Sequence, residues 1–124
     1  MPPLILFIDS DPAITRVVCY NLEMEGFEVI AASDGESGAG LAVSRSPDLV
    51  ILDPHTPRLN GYEVCARIRG RRSRIPIVVV TTYPDWPDFE SAPSSCKPDD
   101  IILKPFSPAY LIKRVRGILG FSRP

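Results

Sequence analysis

Short, nearly unbroken apolar runs alternate along this chain with stretches of helical periodicity. The runs lie at residues 4–8, 27–31, 49–52, 75–80 and 101–103. Runs this short and this continuous are the mark of strands buried on both faces. After the first run, Ile14, Val17, Val18 and Leu22 recur at helical spacing. Asp11 and Pro12 supply an N-cap and a first-turn proline for that helix, and Gly26 ends it. A second helix is predicted over 34–45, weakened by Gly38 and Gly40, with Pro47 breaking the chain behind it. A third is predicted over 60–69, followed by the basic turn Arg71-Arg72-Ser73-Arg74. The last begins at Ser107-Pro108, carries Leu111, Ile112, Val115, Ile118 and Leu119, and ends at Gly120. Strand–helix alternation with short links predicts an α/β fold, a parallel sheet with helices on both faces.

One unit breaks the pattern. Pro84, Pro87, Pro93 and Pro98 fall between Thr82 and Ile101. An interior proline costs a helix about 3 kcal/mol. The fourth helix is therefore expected to be short or disrupted, at most about residues 87–92, with Trp86 and Phe89 either packing it or forming a partner surface.

Composition narrows the class. The chain has 124 residues, 44% hydrophobic and 23% charged, which suits one globular domain over residues 1–124. A net charge of −1 advertises neither nucleic acid nor a membrane surface. No apolar run reaches the length of a membrane span, and the N-terminus lacks the basic region of a signal peptide. Cys19, Cys65 and Cys96 are odd in number and widely spaced, so neither a disulfide framework nor a zinc site is expected. A reducing cytoplasm fits that usage.

The chemistry gathers at strand ends. Asp53 closes the third apolar run, Asp9 and Asp11 follow the first, and Lys104 with Pro105 ends the last. In open α/β sheets that edge is where ligands bind. Acids and a lysine there suit a phosphoryl group and a divalent cation. His55, the only histidine, reads as an exposed loop residue rather than an imidazole ligand or a phosphohistidine. The arginine turn reads as solvated surface, Asp11 as a helix cap before a metal ligand. The glycines at 35, 38 and 40 match no dinucleotide fingerprint, and no P-loop is present.

Taken together, these residues resemble the receiver domain of two-component response regulators over essentially the whole chain. Leu49-Val50-Ile51-Leu52-Asp53 with Pro57 and Gly61 resembles its phosphoacceptor segment. Thr81 matches its switch hydroxyl, and Lys104-Pro105-Phe106 its lysine–proline motif, typically with a cis peptide. The resemblance implies a flavodoxin-like (CheY-like) doubly wound sheet of five parallel strands, order 2-1-3-4-5. It implies phosphoryl transfer to Asp53 from a histidine kinase or histidine phosphotransfer protein, with Lys104 and Thr81 contacting the phosphoryl group. It implies Mg²⁺ on Asp9, Asp53 and the His55 backbone carbonyl, with Asp11 a further candidate. A downstream protein partner is also implied, but no direct nucleic acid, no membrane and no diffusible substrate.

Several positions depart from the family pattern. Two adjacent acids usually follow the first strand, and here the second position is Ser10. Mg²⁺ is therefore expected to bind weakly. Ile101 stands where an aromatic residue commonly moves with the switch threonine, and Thr82 where a small residue is usual. Pro54, His55 and Thr56 are unusual in the acceptor loop. Two function classes follow: a phosphorylatable receiver, or a degenerate receiver that binds a partner protein without phosphorylation.

Overall fold

The computed structural model describes residues 2–72, 74–82 and 97–120. Trp86, Phe89, Cys96 and the predicted short helix lie outside the described residues. The elements run β1 (Leu4–Ile8), α1 (Pro12–Met24), β2 (Glu28–Ala32), α2 (Gly35–Ser44), β3 (Leu49–Leu52), α3 (Gly61–Arg71), β4 (Ile77–Thr81), β5 (Asp100–Leu103) and α4 (Pro108–Leu119). The strands form one parallel sheet in the order β2-β1-β3-β4-β5, as the resemblance implies.

Each apolar run feeds two cores, because successive side chains in a strand point to opposite faces. Leu6, Ile8, Val50, Leu52, Ile77 and Val79 meet α2 and α3 on one face. Ile5, Phe7, Leu49, Ile51, Val78 and Val80 meet α1 and α4 on the other. Burying one such side chain is worth about 1.5–3 kcal/mol. That double burial is why β1, β3 and β4 read as continuous rather than alternating hydrophobicity.

Side chains cap the start of every described helix. Asp11 accepts from the Ala13 and Ile14 amides, Asp34 from Ser37, and Ser107 from Tyr110. Asn60 accepts from Glu63, whose carboxylate reaches back to the Asn60 amide in a reciprocal capping box. These caps fix where each helix leaves the sheet edge.

Several boundaries differ from the sequence expectation. β2 starts and ends one residue late, at Glu28 and Ala32, and β5 begins at Asp100. β4 begins at Ile77 rather than 75, because the Ile75 amide closes a turn onto the Arg72 carbonyl and Pro76 has no amide to give. α3 starts after Asn60, its cap, and runs on to Arg71, with Arg69 and Arg71 in the last turn, where positive charge suits the helix dipole. Val17 is also misplaced by the periodicity. It is 51% exposed, whereas Val18 and Leu22 are buried. Adjacent residues sit about 100° apart on a helix, so Val17 and Val18 cannot both face the sheet.

Gly38 has a role that propensity alone hides. A Cβ there would lie 2.4 Å from Ile8 Cδ1 and 2.7 Å from Ile8 Cγ1, whereas one on Gly40 would meet nothing. Gly38 lets α2 lie close on β1, directly beneath the strand end that delivers Asp9.

Candidate functional site

The parallel sheet brings Asp9, Asp53, Thr81 and Lys104 to one edge. The backbone continues the sheet for one step past the strands. The Asp9 amide donates to the Ala32 carbonyl at 3.0 Å, and the Asp53 amide to the Ile8 carbonyl at 2.9 Å. The Lys104 amide donates to the Thr81 carbonyl at 2.7 Å. The Lys104–Pro105 peptide is cis, as the lysine–proline motif implies.

The lysine ammonium joins the two acids. Lys104 Nζ lies 2.9 Å from Asp53 Oδ2 and 3.4 Å from Asp9 Oδ2. The other oxygen of each acid accepts from the backbone. Asp9 Oδ1 takes the Asp11 amide at 2.8 Å, and Asp53 Oδ1 the His55 amide at 2.9 Å. Asp9 is buried, while the Asp53 side chain remains 13% exposed and open to a reactant. Burial works against the Lys104 charge, but the hydrogen bond and Coulomb attraction of Asp53, then those of Asp9, outweigh it. The lysine pKa is therefore raised above its ordinary value.

The remaining expected residues sort by position. Thr81 is buried at the end of β4, and Thr82 beside it is exposed. His55 is exposed in the loop after β3. Asp11 stands at the site's rim with its carboxylate turned to the start of α1, so only its amide enters the acid pair's bonding. Ser10 is exposed and lines a cleft with Asp9, Thr15 and Arg16. Ile101 is half-buried and packs on the core shared with α2 and α3. Among the described residues, no group of three or more His, Cys, Asp or Glu side chains converges on a point. Arg71 and Arg74 are exposed, and Arg72 is tied to the Pro47 carbonyl at 2.6 Å.

One surface was not legible from sequence. Ala13, Ile14 and Val17 of α1 join Thr82, Pro105 and Phe106 in an apolar trough whose wall includes Lys104. The signal was present in the excess of apolar residues on α1, which are more than one buried face can hold. No described helix is long and apolar enough to cross a membrane.

Comparison with known proteins agrees with this geometry. The family described as "Response regulator receiver domain" matches residues 5–116. The chain is 41% identical over 123 residues to the DNA-binding dual master transcriptional regulator RpaA of Synechocystis sp., covering 94% of this chain and 49% of the relative. It is 38% identical over 119 residues to the alkaline phosphatase synthesis transcriptional regulatory protein PhoP of Bacillus subtilis, covering 95% and 49%. The chain thus spans about half the length of these curated relatives. Among solved structures, a CheY-like receiver domain protein from Methanospirillum hungatei superposes with a TM-score of 0.89 at 25% identity, covering 97% of this chain and 95% of that one. The receiver domain of the sensor histidine kinase PA1611 from Pseudomonas aeruginosa gives 0.85 at 25% identity, covering 97% and 99%, and was solved with a magnesium ion coordinated in its active-site cleft. Strand order, edge chemistry and sequence agree that this chain belongs to the response regulator receiver family of two-component signalling.

Proposed function

We propose that Asp53 accepts a phosphoryl group from the phosphohistidine of a histidine kinase or histidine phosphotransfer protein. The observation that carries this reading is Lys104 Nζ between the Oδ2 atoms of Asp53 and Asp9, which marks where their oxygens converge. An Asp53 carboxylate oxygen attacks phosphorus and the P–N bond breaks. The imidazole nitrogen keeps the electron pair and, once protonated, leaves as neutral histidine. Lys104 and the Thr81 hydroxyl offset charge on the transferred oxygens.

The donor set suits a small hard cation. Two carboxylates whose oxygens converge, with the His55 carbonyl in the same loop, can hold Mg²⁺ together with several waters. When bound, Mg²⁺ would supply positive charge to the phosphoryl oxygens. Ser10 contributes no carboxylate, and Asp11 is engaged as a helix cap, so we expect weak metal affinity. A partner helix carrying the phosphohistidine would lie against the apolar trough of Ile14, Val17 and Phe106, which adjoins Lys104.

A second reading has its own support. Ser10 in place of an acid and the half-buried aliphatic Ile101 suit a receiver that binds a partner without phosphorylation. Incubation with a small phosphodonor and Mg²⁺, followed by intact-protein mass spectrometry, separates the two. One added phosphoryl group, absent from Asp53→Ala, supports phosphorylation. No added mass at any donor concentration sinks it in favour of the second reading.

A further inference from the structure

We propose that two copies of this chain pair through α1, antiparallel and about a two-fold axis. The pairing goes beyond the proposed phosphoryl transfer and does not depend on it. α1 carries two apolar faces. Ile14, Val18 and Leu22 pack on the core beneath the sheet. Ala13, Val17, Tyr20 and Met24 follow one another at steps of four, three and four residues on the side turned to solvent. That alternation is the seam spacing of a helix pair. Val17, Tyr20 and Met24 are 51%, 62% and 67% exposed, so the described residues leave the stripe open. A contiguous apolar stripe in water marks an interaction surface.

Charge complementarity names a second copy as the occupant. Residues about 100° apart on a helix put Arg16 and Glu23 on one flank of the stripe. Arg16 lies toward β2, whereas Asn21 and Glu25 lie toward α4. Arg16 and Glu23 are both exposed, and neither enters an ion pair with a described residue. A two-fold axis across an antiparallel helix pair brings like flanks together. With Val17 against Tyr20 of the second copy and Ala13 against its Met24, Arg16 comes within about one helical turn of its Glu23. Symmetry makes that ion pair twice. A parallel pair would bring opposite flanks together and set Glu23 beside Asn21 and Glu25, whose own cation, Arg116, is already engaged. The contact is small. Four seam side chains from each copy bury less than the roughly 1,200 Å² of a standard interface, so association belongs to high micromolar concentration. Ala13 and Val17 also line the trough beside Lys104. The second copy therefore covers part of the surface on which a phosphohistidine helix would lie.

Analytical ultracentrifugation from micromolar to millimolar chain concentration tests the pairing, with reductant present because the free Cys19 lies on α1. Wild type should pass from monomer to dimer. Val17→Glu and Tyr20→Glu alter solvent-facing positions, so each should keep the native circular dichroism and stay monomeric. Arg16→Glu or Glu23→Arg alone should weaken dimerisation on the order of 10-fold, because each sets like charges together twice. The double variant Arg16→Glu with Glu23→Arg should restore it, since the pair is only exchanged. Wild type that stays monomeric at millimolar concentration overturns the proposal and leaves the stripe to a different protein. A dimer that survives Tyr20→Glu puts the contact on another face and also overturns it. A double variant no better than the single ones rules out the antiparallel pairing. None of these outcomes bears on phosphorylation of Asp53, which the mass measurement reads separately.

Discussion

Lys104 shows how much one side chain can organise at the end of a sheet. Its ammonium bonds both acids, and its amide bonds the end of β4, so it ties three strands together at the candidate site. Lys104→Ala should therefore weaken beryllofluoride binding by about 1.5–3 kcal/mol, the range for a charge-assisted hydrogen bond. Unchanged affinity by fluorine NMR would show that the lysine does not serve the site. Asp34 provides a residue-scale test far from that chemistry. The Ser37 amide, 2.7 Å from its Oδ1, is the main cause that lowers its pKa below 3.8, with the Ser37 hydroxyl and Arg58 assisting against some desolvation. A carboxylate lowered on folding adds stability above its unfolded pKa and loses it as pH falls through the folded one. Asp34→Asn keeps a capping oxygen but cannot titrate. The stability gap between wild type and Asp34→Asn should hold at neutral pH and close below about pH 3.8. Urea midpoints measured across that range decide it, and a gap that persists in strong acid would contradict the assignment.

At the level of elements, close approach decides as much as propensity. Two glycines in α2 look equivalent in sequence, and both appear only to weaken the helix. They differ because Gly38 faces the buried Ile8 while Gly40 faces open space. Gly40→Ala should stabilise the fold by about 0.5–1 kcal/mol, since alanine restricts the unfolded chain and favours the helix. Gly38→Ala adds its methyl group into the Ile8 side chain, so overpacking of about 1–3 kcal/mol should outweigh the same gain. Chemical denaturation of the two variants tests the contrast. Equal midpoints would mean that α2 is free to shift away from β1. The starts of α1 and α4 were legible for a different reason. Caps such as Asp11 and Ser107 act within three residues, so local sequence carries them. The start of β4 was not legible, because the Ile75–Arg72 turn bond competes with strand pairing for the same amide.

Across the whole molecule, the sheet fixes where the residues at its edge stand. β3 lies between β1 and β4, and all four of its side chains are fully buried. Its amides should exchange with solvent among the slowest in the chain, and those of the edge strand β2 faster. Ile101 packs on the α2–α3 core, and its amide is held by the Asp100 carboxylate at 2.9 Å. An aliphatic side chain already seated there has little to rearrange when the Thr81 hydroxyl engages a phosphoryl group. Saturating beryllofluoride with Mg²⁺ should therefore slow exchange near Asp53 and Lys104 and leave the Ile101 amide unchanged. Protection changes that spread from Thr81 to Ile101 would show a threonine-driven switch instead.

The amino-acid sequence by itself determined the α/β class, the strand order implied by its motifs, the caps Asp11 and Ser107, and which four candidate residues stand at strand ends. These depend on runs of buried residues, on capping over a few positions, and on residue types that end strands. The convergence of Lys104 on both acids belongs to tertiary structure, because residues 9, 53 and 104 meet only after β1, β3, β4 and β5 pair in register. The same holds for the exposure of Val17, the contact of Gly38 with Ile8, and the apolar trough beside Lys104. Each is a relation between elements distant in the chain, and local periodicity carries no information about which face a neighbour will cover.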